Sequence, residues 1–261
     1  MSASAQPPSL TLLTLNVNGL RRRDKRAQLC DMLSRSAWHI VLLQETHHTS
    51  EDEGREWLRQ GLAATGNQNW LQFSAWAAGT SASCGVAVLI SANAPVTDPV
   101  VHHASGDGRL LRVDCVHGES QLSIVNVYAP CEAAHRAPFF ASALPRALPR
   151  PGAGAPLVLV GGDFNCIADG ELDQSTHTAR AGRLRGYADG LLPVQSLHGL
   201  TDVFRDLHPA HREYTYYAHG PGGGVSAARL DRWLVSETAG AAVRACEHQL
   251  HAGFPGDHRA V

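Results

Sequence analysis

The chain has 261 residues, is 44% hydrophobic and 18% charged, and carries a formal net charge of -2. That is enough chain for a large core and too little positive charge for a generically basic nucleic-acid binder. No apolar run reaches the roughly 18 residues a membrane helix needs, and the polar start "MSASAQPPS" lacks the basic and apolar segments of a secretion signal.

Residues 1–9 read as a disordered leader, and no change of composition divides residues 10–261, so a single domain is expected there. The first strand-length apolar run is "LTLLTLNV", followed by the basic cluster "RRRDKR" over Arg21–Arg26. In "KRAQLCDMLSRS" the spacing of Leu29, Met32 and Leu33 predicts a helix with one apolar face. "HIVLLQE" predicts a second strand, and "DEGREWLRQGL" a second helix through Trp57, Leu58 and Leu62, capped by Thr46, Thr49 or Ser50. Strands follow in "CGVAVLIS", "RLLRVDCV", "QLSIVNVYA" and "PLVLVGGDF", the last so apolar that both its faces should be covered. "PRALPRPGAGAP" reads as a turn rather than a linker, and "RLRGYADGLL" as a helix beginning in a second basic cluster, Arg180–Arg185. "REYTYYA" and "ARLDRWLVS" close the series of strands. The six scattered cysteines form no paired motif and read as buried free thiols. The fifteen histidines show no metal-binding spacing and read mostly as surface residues.

This succession of strands with a few interleaved helices predicts an α/β protein, a four-layer α/β sandwich of two packed mixed β-sheets flanked by helices. Polar residues recur where the apolar runs end: Asn16 and Asn18, Gln44 and Glu45, Asn126 and Tyr128, Asp163 and Asn165, Asp231, and Asp257 with His258. Strand ends converging on one site explain that recurrence better than chance does. Glu45 suits a hard cation such as Mg2+. Asp163 suits a water-activating carboxylate, with Asn165 two residues on facing the same side of a strand. His258 suits stabilisation of a pentacovalent phosphate, with Asp231 fixing its tautomer. Tyr128 offers a hydroxyl to the developing charge. The set suits metal-assisted hydrolysis of a phosphodiester. Each residue also has a plain structural reading: Asp163 in a turn, Glu45 as a cap, Tyr128 in the core, Asp231 paired with Arg229 or Arg232.

The blocks "LNVNGL", "LLQETH", "NVYAP", "GGDFN", "RLDRWLVS" and "GDHRAV" resemble, in order, those of the endonuclease/exonuclease/phosphatase superfamily, whose fold is DNase I-like. The resemblance implies that Asn16, Glu45 and Asp257 lie at the metal. It places Tyr128 near the scissile phosphate, Asp163 and Asn165 on the attacking water and phosphate, and Asp231 behind His258. Thr215 matches the threonine of a further block. DNA contacts are expected from Arg21, Arg22, Arg23, Thr215, Arg229 and Arg232. The implied cofactor is Mg2+, with Mn2+ able to substitute.

Within the superfamily the chain resembles the endonuclease domain of non-LTR (LINE-type) retrotransposon polyproteins more than the abasic-site repair endonucleases. Asn18 stands where the repair enzymes have aspartate, "LLQETHHTSEDE" and "GELDQS" match the retrotransposon wording, and no tryptophan precedes Arg229. Gly256 replaces the usual serine before the final pair. The resemblance implies a domain cut from a longer polyprotein that nicks double-stranded DNA in the nucleus. Its nick, with a 3′-hydroxyl and a 5′-phosphate, would prime a reverse transcriptase elsewhere in the same polyprotein. The domain is expected to be an intracellular monomer without membrane contact. "GPGGG" at Gly220–Gly224 would be the tip of a DNA-probing hairpin or a plain turn. A stand-alone abasic endonuclease, a lipid or inositol phosphoesterase and a catalytically idle DNA-binding module remain the alternatives.

Overall fold

A computed structural model describes residues 8–175, 190–219, 224–249, 254 and 256–261. The leader up to residue 7, the Arg180–Arg185 cluster, most of the helix expected from residue 183 and the hairpin tip at residues 220–223 lie outside the described residues.

Two sheets form the centre. The four-stranded sheet has the order β1 (Leu12–Asn16), β2 (Ile40–Gln44), β4 (Val86–Ser91), β3 (Leu71–Ala77). The six-stranded sheet has the order β5 (Thr97–Ala104), β6 (Leu110–His117), β7 (Ser120–Tyr128), β8 (Leu157–Asp163), β12 (Asp231–Ser236), β9 (Leu200–Asp202). β1 pairs with β2, and β7 with β8, in parallel; the other pairings in both sheets are antiparallel. A separate hairpin joins β10 (Tyr216–His219) to β11 (Val225–Ala228).

The alternation of side chains along a strand assigns the layers. In β2, Ile40 and Leu42 join Val86, Val88, Leu111, Ile124 and Trp233 in the core between the sheets. Val41 and Leu43 point the other way, to the core under the helices α1 (Arg23–Arg35) and α2 (Glu51–Ala64), with Leu29, Leu33, Leu58 and Leu62. On the outer face of the six-stranded sheet, Val125, Val127 and Val160 meet Phe139, Phe140 and Leu144, together with Leu191 and Val194 of the helix Leu191–His198. Burial of each such side chain stabilises the fold by about 1.5–3 kcal/mol. The architecture is therefore the expected four-layer α/β sandwich. Ser50 caps α2, its Oγ accepting from the Glu53 N–H. All six cysteines are free, and Cys131 alone of them is exposed.

Two glycines set how closely the strands meet. A Cβ on Gly161 would fall 2.6 Å from the Trp233 ring, in the space between the sheets. Gly162 has φ +146°, and a Cβ there would lie 1.9 Å from the Val127 carbonyl. Gly162 thus lets β8 run flush against β7 as far as Asp163, and Gly161 leaves room for Trp233 between the sheets.

The structure departs from the sequence reading in places. The strand expected over "ARLDRWLVS" begins only at Asp231: Ala228 ends β11, and Arg229 and Leu230 lie between β11 and β12. β3, β5 and β9 had no distinct apolar signal; β5 contains Pro99, is interrupted by register shifts and is largely exposed as an edge strand. His48 and His248 are buried, against the surface reading of the histidines. His48 meets Trp76 edge-on, and His248 stacks on Phe204 at 4.1 Å.

A buried polar link joins the sheets beside the strand ends. Gln44 Nε2 donates to Thr14 Oγ1 at 2.9 Å and to Asn126 Oδ1 at 2.7 Å. Asn126 Nδ2 donates to the carbonyls of Leu43 at 2.9 Å and Ala87 at 2.8 Å. The segment after Asp257 is strung between two elements: the Tyr217 N–H donates to the Asp257 carbonyl, and the Arg259 N–H to that of Thr215. At its other end Thr14 and Val261 exchange hydrogen bonds of 2.8 and 3.0 Å, and Trp233 Nε1 donates to the Val261 carbonyl at 3.1 Å.

Deletion of Asp257–Val261 leaves the buried Trp233 N–H and the Thr14 backbone without these partners, at about 1–3 kcal/mol for each unsatisfied buried group. The truncated protein is expected to melt several degrees lower; an unchanged melting temperature would contradict this account.

Candidate active site

The parallel pairs put four strand ends together. Asn16 and Gln44 are the last residues of β1 and β2 and stand in register. Tyr128 and Asp163 are the last residues of β7 and β8 and also stand in register. Asp231, first in β12, pairs with Asp163 from the other side because that pairing is antiparallel. Beyond these ends the backbone turns sharply, with Asn18, Glu45, His47 and Asn165 at φ 44°, 52°, 58° and 49°. Left-handed backbone at non-glycine residues is costly and concentrates where side-chain placement matters.

Asn16 is the hub. Its Nδ2 donates to Glu45 Oε1 at 2.8 Å and to Asp163 Oδ2 at 2.9 Å, so one amide holds two carboxylates apart and in place. Its Oδ1 accepts the Asn18 N–H at 3.0 Å. His258 Nδ1 lies 2.8 Å from Asp231 Oδ2, and His258 Nε2 lies 3.9 Å from Asp163 Oδ2. Asn18 Nδ2 donates to Asp257 Oδ1 at 3.3 Å, tying the last block to the first. Lys25 donates to the Asn18 carbonyl at 2.9 Å, within the field of Asp257 and Glu45. Arg109 lies over the Tyr128 ring at 5.1 Å.

These surroundings set the charges. Burial works against ionisation of Glu45, but the neighbouring His47, Asn16 and Tyr128 and the field of His258 outweigh it and hold the carboxyl down to about 2. Burial first, and repulsion from Asp231 second, raise the Asp163 carboxyl well above the usual carboxylate range. Burial opposes the His258 cation, yet Asp231, as charge and as hydrogen-bond acceptor, raises it, helped by Asp163 and Asp257. Burial, with Glu45 beside it, keeps Tyr128 a neutral phenol and hence a donor.

Asp163, Asp231 and His258 bring one ligand atom each within 4.8 Å of one another, which is metal-binding spacing. His258 Nδ1 is already engaged by Asp231, however, and that arrangement also orients an imidazole. Glu45 fits a divalent cation better: it is ionised, and its carboxylate is 21% exposed. An ionised carboxylate is a donor that suits a hard cation.

The structure thus brings Asn16, Glu45, Tyr128, Asp163, Asp231 and His258 to one place and ties Asp257 to it through Asn18. Arg21, Arg22 and Arg23 are exposed at the start of α1 and just before it. Four expectations are corrected. Asn165 is beyond the end of β8, so it does not share a strand face with Asp163. Instead its N–H donates to Asp163 Oδ1 at 2.8 Å, while its Nδ2 donates to the Ala129 carbonyl at 2.9 Å. Thr215 is fully buried and contributes no DNA contact; its Oγ1 accepts the N–H groups of Leu230 at 2.9 Å and Asp231 at 3.0 Å. Arg229 is fully buried between Asp173 and Asp202, its Nε 2.8 Å from Asp173 Oδ1 and its Nη2 2.8 Å from Asp202 Oδ2. Arg232 is buried as well and donates to the carbonyls of Cys166 and Arg229 at 2.6 and 2.9 Å. Both arginines pin the loop after Asp163 instead of facing solvent.

Sequence reasoning gave no role to Gln44, Asn126, Arg109 or His47. The first two stood at strand ends and were visible there. Arg109 opens a strand far from any block, and His47 has no metal-binding spacing to another histidine.

A mixed sandwich with carboxylates, an asparagine and a histidine–aspartate pair at its strand ends defines a class of hydrolase-like α/β folds. Residues 13–258 match the model of the Endonuclease/Exonuclease/phosphatase family, and the chain belongs to that family. A Xenopus laevis protein described as the transposon TX1 uncharacterized 149 kDa protein is 29% identical over 231 residues, 87% of this chain. The chain spans 16% of that relative's length. An AP endonuclease from Archaeoglobus fulgidus has the same fold, with a TM-score of 0.74, 20% identity and 97% of each chain covered. So does a 3′ phosphatase from Neisseria bound to a product DNA hairpin, with a TM-score of 0.66, 20% identity and 97% of each chain covered.

The burial of Arg229 yields a test. Arg229→Ala takes the cation from Asp202 and leaves Asp173 with Arg205; it is expected to cost about 3–5 kcal/mol in urea unfolding, against under about 0.5 kcal/mol for an exposed arginine. Burial works against the Asp173 carboxylate, but Arg229 and Arg232 outweigh it and depress its pKa. Its contribution is therefore complete above the ordinary carboxylate range and is lost as pH falls toward the depressed value. The gap between wild type and Arg229→Ala should shrink in strong acid.

Proposed function

We propose that this protein is a divalent-metal-dependent DNA endonuclease that hydrolyses one phosphodiester in one strand of a duplex. The observation that carries the reading is the Asn16 amide bonded to both Glu45 and Asp163, with the His258–Asp231 pair beside them. Glu45, with Asn16 and Asp257 as further oxygen donors, would hold a divalent cation, Mg2+ or Mn2+, which would supply positive charge for the phosphate and the leaving oxygen.

The chain's own groups account for the rest. Asp163, its basicity raised by burial, takes a proton from the attacking water, whose oxygen bonds to phosphorus opposite the leaving group. Asn16 keeps that carboxylate oriented. His258, kept cationic by Asp231, donates to a non-bridging oxygen as charge builds there, and the Tyr128 hydroxyl donates to the same charge. The P–O3′ bond breaks, and the departing oxygen takes a proton from solvent water to become a 3′-hydroxyl, leaving a 5′-phosphate on the other fragment. Arg21, Arg22 and Arg23 lie exposed where flanking phosphates would pass.

The likeness to a transposon protein supports a further step: the 3′-hydroxyl primes reverse transcription by another part of the same polyprotein, in the nucleus where the target DNA lies.

Supercoiled plasmid incubated with the protein and Mg2+ is expected to become open circles, with nicks bearing 3′-hydroxyl ends. Asp163→Ala should slow this by about 100- to 10,000-fold. Equal rates for wild type and Asp163→Ala, or no nicking by the wild type, would defeat the proposal. Far faster cleavage of an abasic duplex than of intact DNA would replace the priming role with a repair role.

A further inference from the structure

Two residues after Glu45, His47 turns toward the same carboxylate. Its Nε2 lies 3.4 Å from Glu45 Oε2. That is longer than the roughly 2.7–2.9 Å of a charge-assisted hydrogen bond, and Nε2 has no hydrogen-bond partner among the described residues. Two ligands bound to one ion at about 2.0–2.2 Å stand roughly 3.0–3.5 Å apart, which is the observed separation.

The ring is held in this position. His47 adopts φ 58°, and its N–H donates to the Cys84 carbonyl at 3.0 Å. Between it and Glu45, Thr46 turns inward, its Oγ1 2.6 Å from His48 Nδ1, so that Glu45 and His47 share the outward side. Gly19, at φ +83°, leaves room for the imidazole: a Cβ there would fall 2.8 Å from His47 Nδ1. The Gly19 N–H also donates to the Glu45 carbonyl at 2.7 Å, which locks the two turns together. The side chains of His47 and Glu45 are 14% and 21% exposed.

We infer that His47 is a nitrogen ligand beside Glu45, so that the metal centre accepts borderline divalent transition ions such as Co2+ and Zn2+ as well as Mg2+. This rests on the proposed metal site at Glu45. Imidazole strengthens binding of transition ions and adds little for Mg2+, which prefers oxygen donors. A histidine that merely oriented Glu45 by donating to it would support both kinds of ion equally.

The test uses Co2+ and Mg2+ binding by calorimetry and proton NMR of the Co2+-loaded protein. The variants are His47→Asn and His47→Gly, both tolerant of left-handed backbone. The wild type should show a hyperfine-shifted, exchangeable imidazole proton that both variants lack. Co2+ affinity should fall at least about tenfold in the variants while Mg2+ affinity stays within about twofold. A shifted signal absent from the wild type or persisting in the variants would overturn the inference, as would Co2+ and Mg2+ affinities falling together. Glu45→Gln separates the two levels. If it leaves Co2+ binding intact, the metal site at Glu45 is wrong and the inference falls with it. If it abolishes binding while His47→Asn does not weaken it, only the role of His47 is wrong.

Discussion

The Gln44–Asn126 bond is the constraint on which the site depends. It crosses from one sheet to the other one residue short of Glu45 and two short of Tyr128. Inside the core a hydrogen-bonded amide pair has no competing water, and breaking it leaves buried polar groups unpaired. Asn126 also holds the carbonyls of Leu43 and Ala87, and Gln44 the hydroxyl of Thr14. Apolar packing alone lets two sheets slide over one another at little cost. These directional bonds fix the offset between β2 and β7, and so the distance between Glu45, carried by one sheet, and Asp163, carried by the other.

With that offset fixed, the site is an electrostatic balance. Glu45, Asp163, Asp231 and Asp257 converge where burial already penalises charge. Two residues relieve the crowding inside. Asn16 offers its amide hydrogens to Glu45 and Asp163, and His258 places a cation between Asp163 and Asp231. Arg229 and Arg232 use their charge elsewhere, on the loop that follows Asp163. Their burial explains why residues adjacent to Asp231 in sequence take no part in the candidate site.

Much of this was legible from sequence, for identifiable reasons. The apolar runs ending in Asn16, Gln44, Tyr128 and Asp163 announce strands whose ends carry polar side chains, and parallel pairing brings such ends together. The layers followed from the same runs. What was not legible turned on direction rather than identity. Arg229, Arg232 and Thr215 look like surface residues by type, but partners far apart in sequence hold them inside: Asp173 and Asp202 for Arg229, the Cys166 carbonyl for Arg232, and the Leu230 and Asp231 N–H groups for Thr215. Asn165 keeps its place near Asp163 through a local turn rather than through strand alternation, so the spacing argument failed although the neighbourhood was correct. β5 and β9 were missed because an exposed edge and a very short strand carry no apolar signature.

The hairpin offers a last consequence. β11 leads through Arg229 and Leu230 into Asp231, while β10 pairs along its other edge with the segment bearing His258. The two halves of the dyad therefore hang from opposite margins of one small ribbon. Their separation is set by the rungs of a ladder, not by the rotamers of two side chains. A ribbon of this kind behaves as a jig: it delivers the imidazole and its carboxylate together, already aligned, wherever the ribbon itself comes to rest.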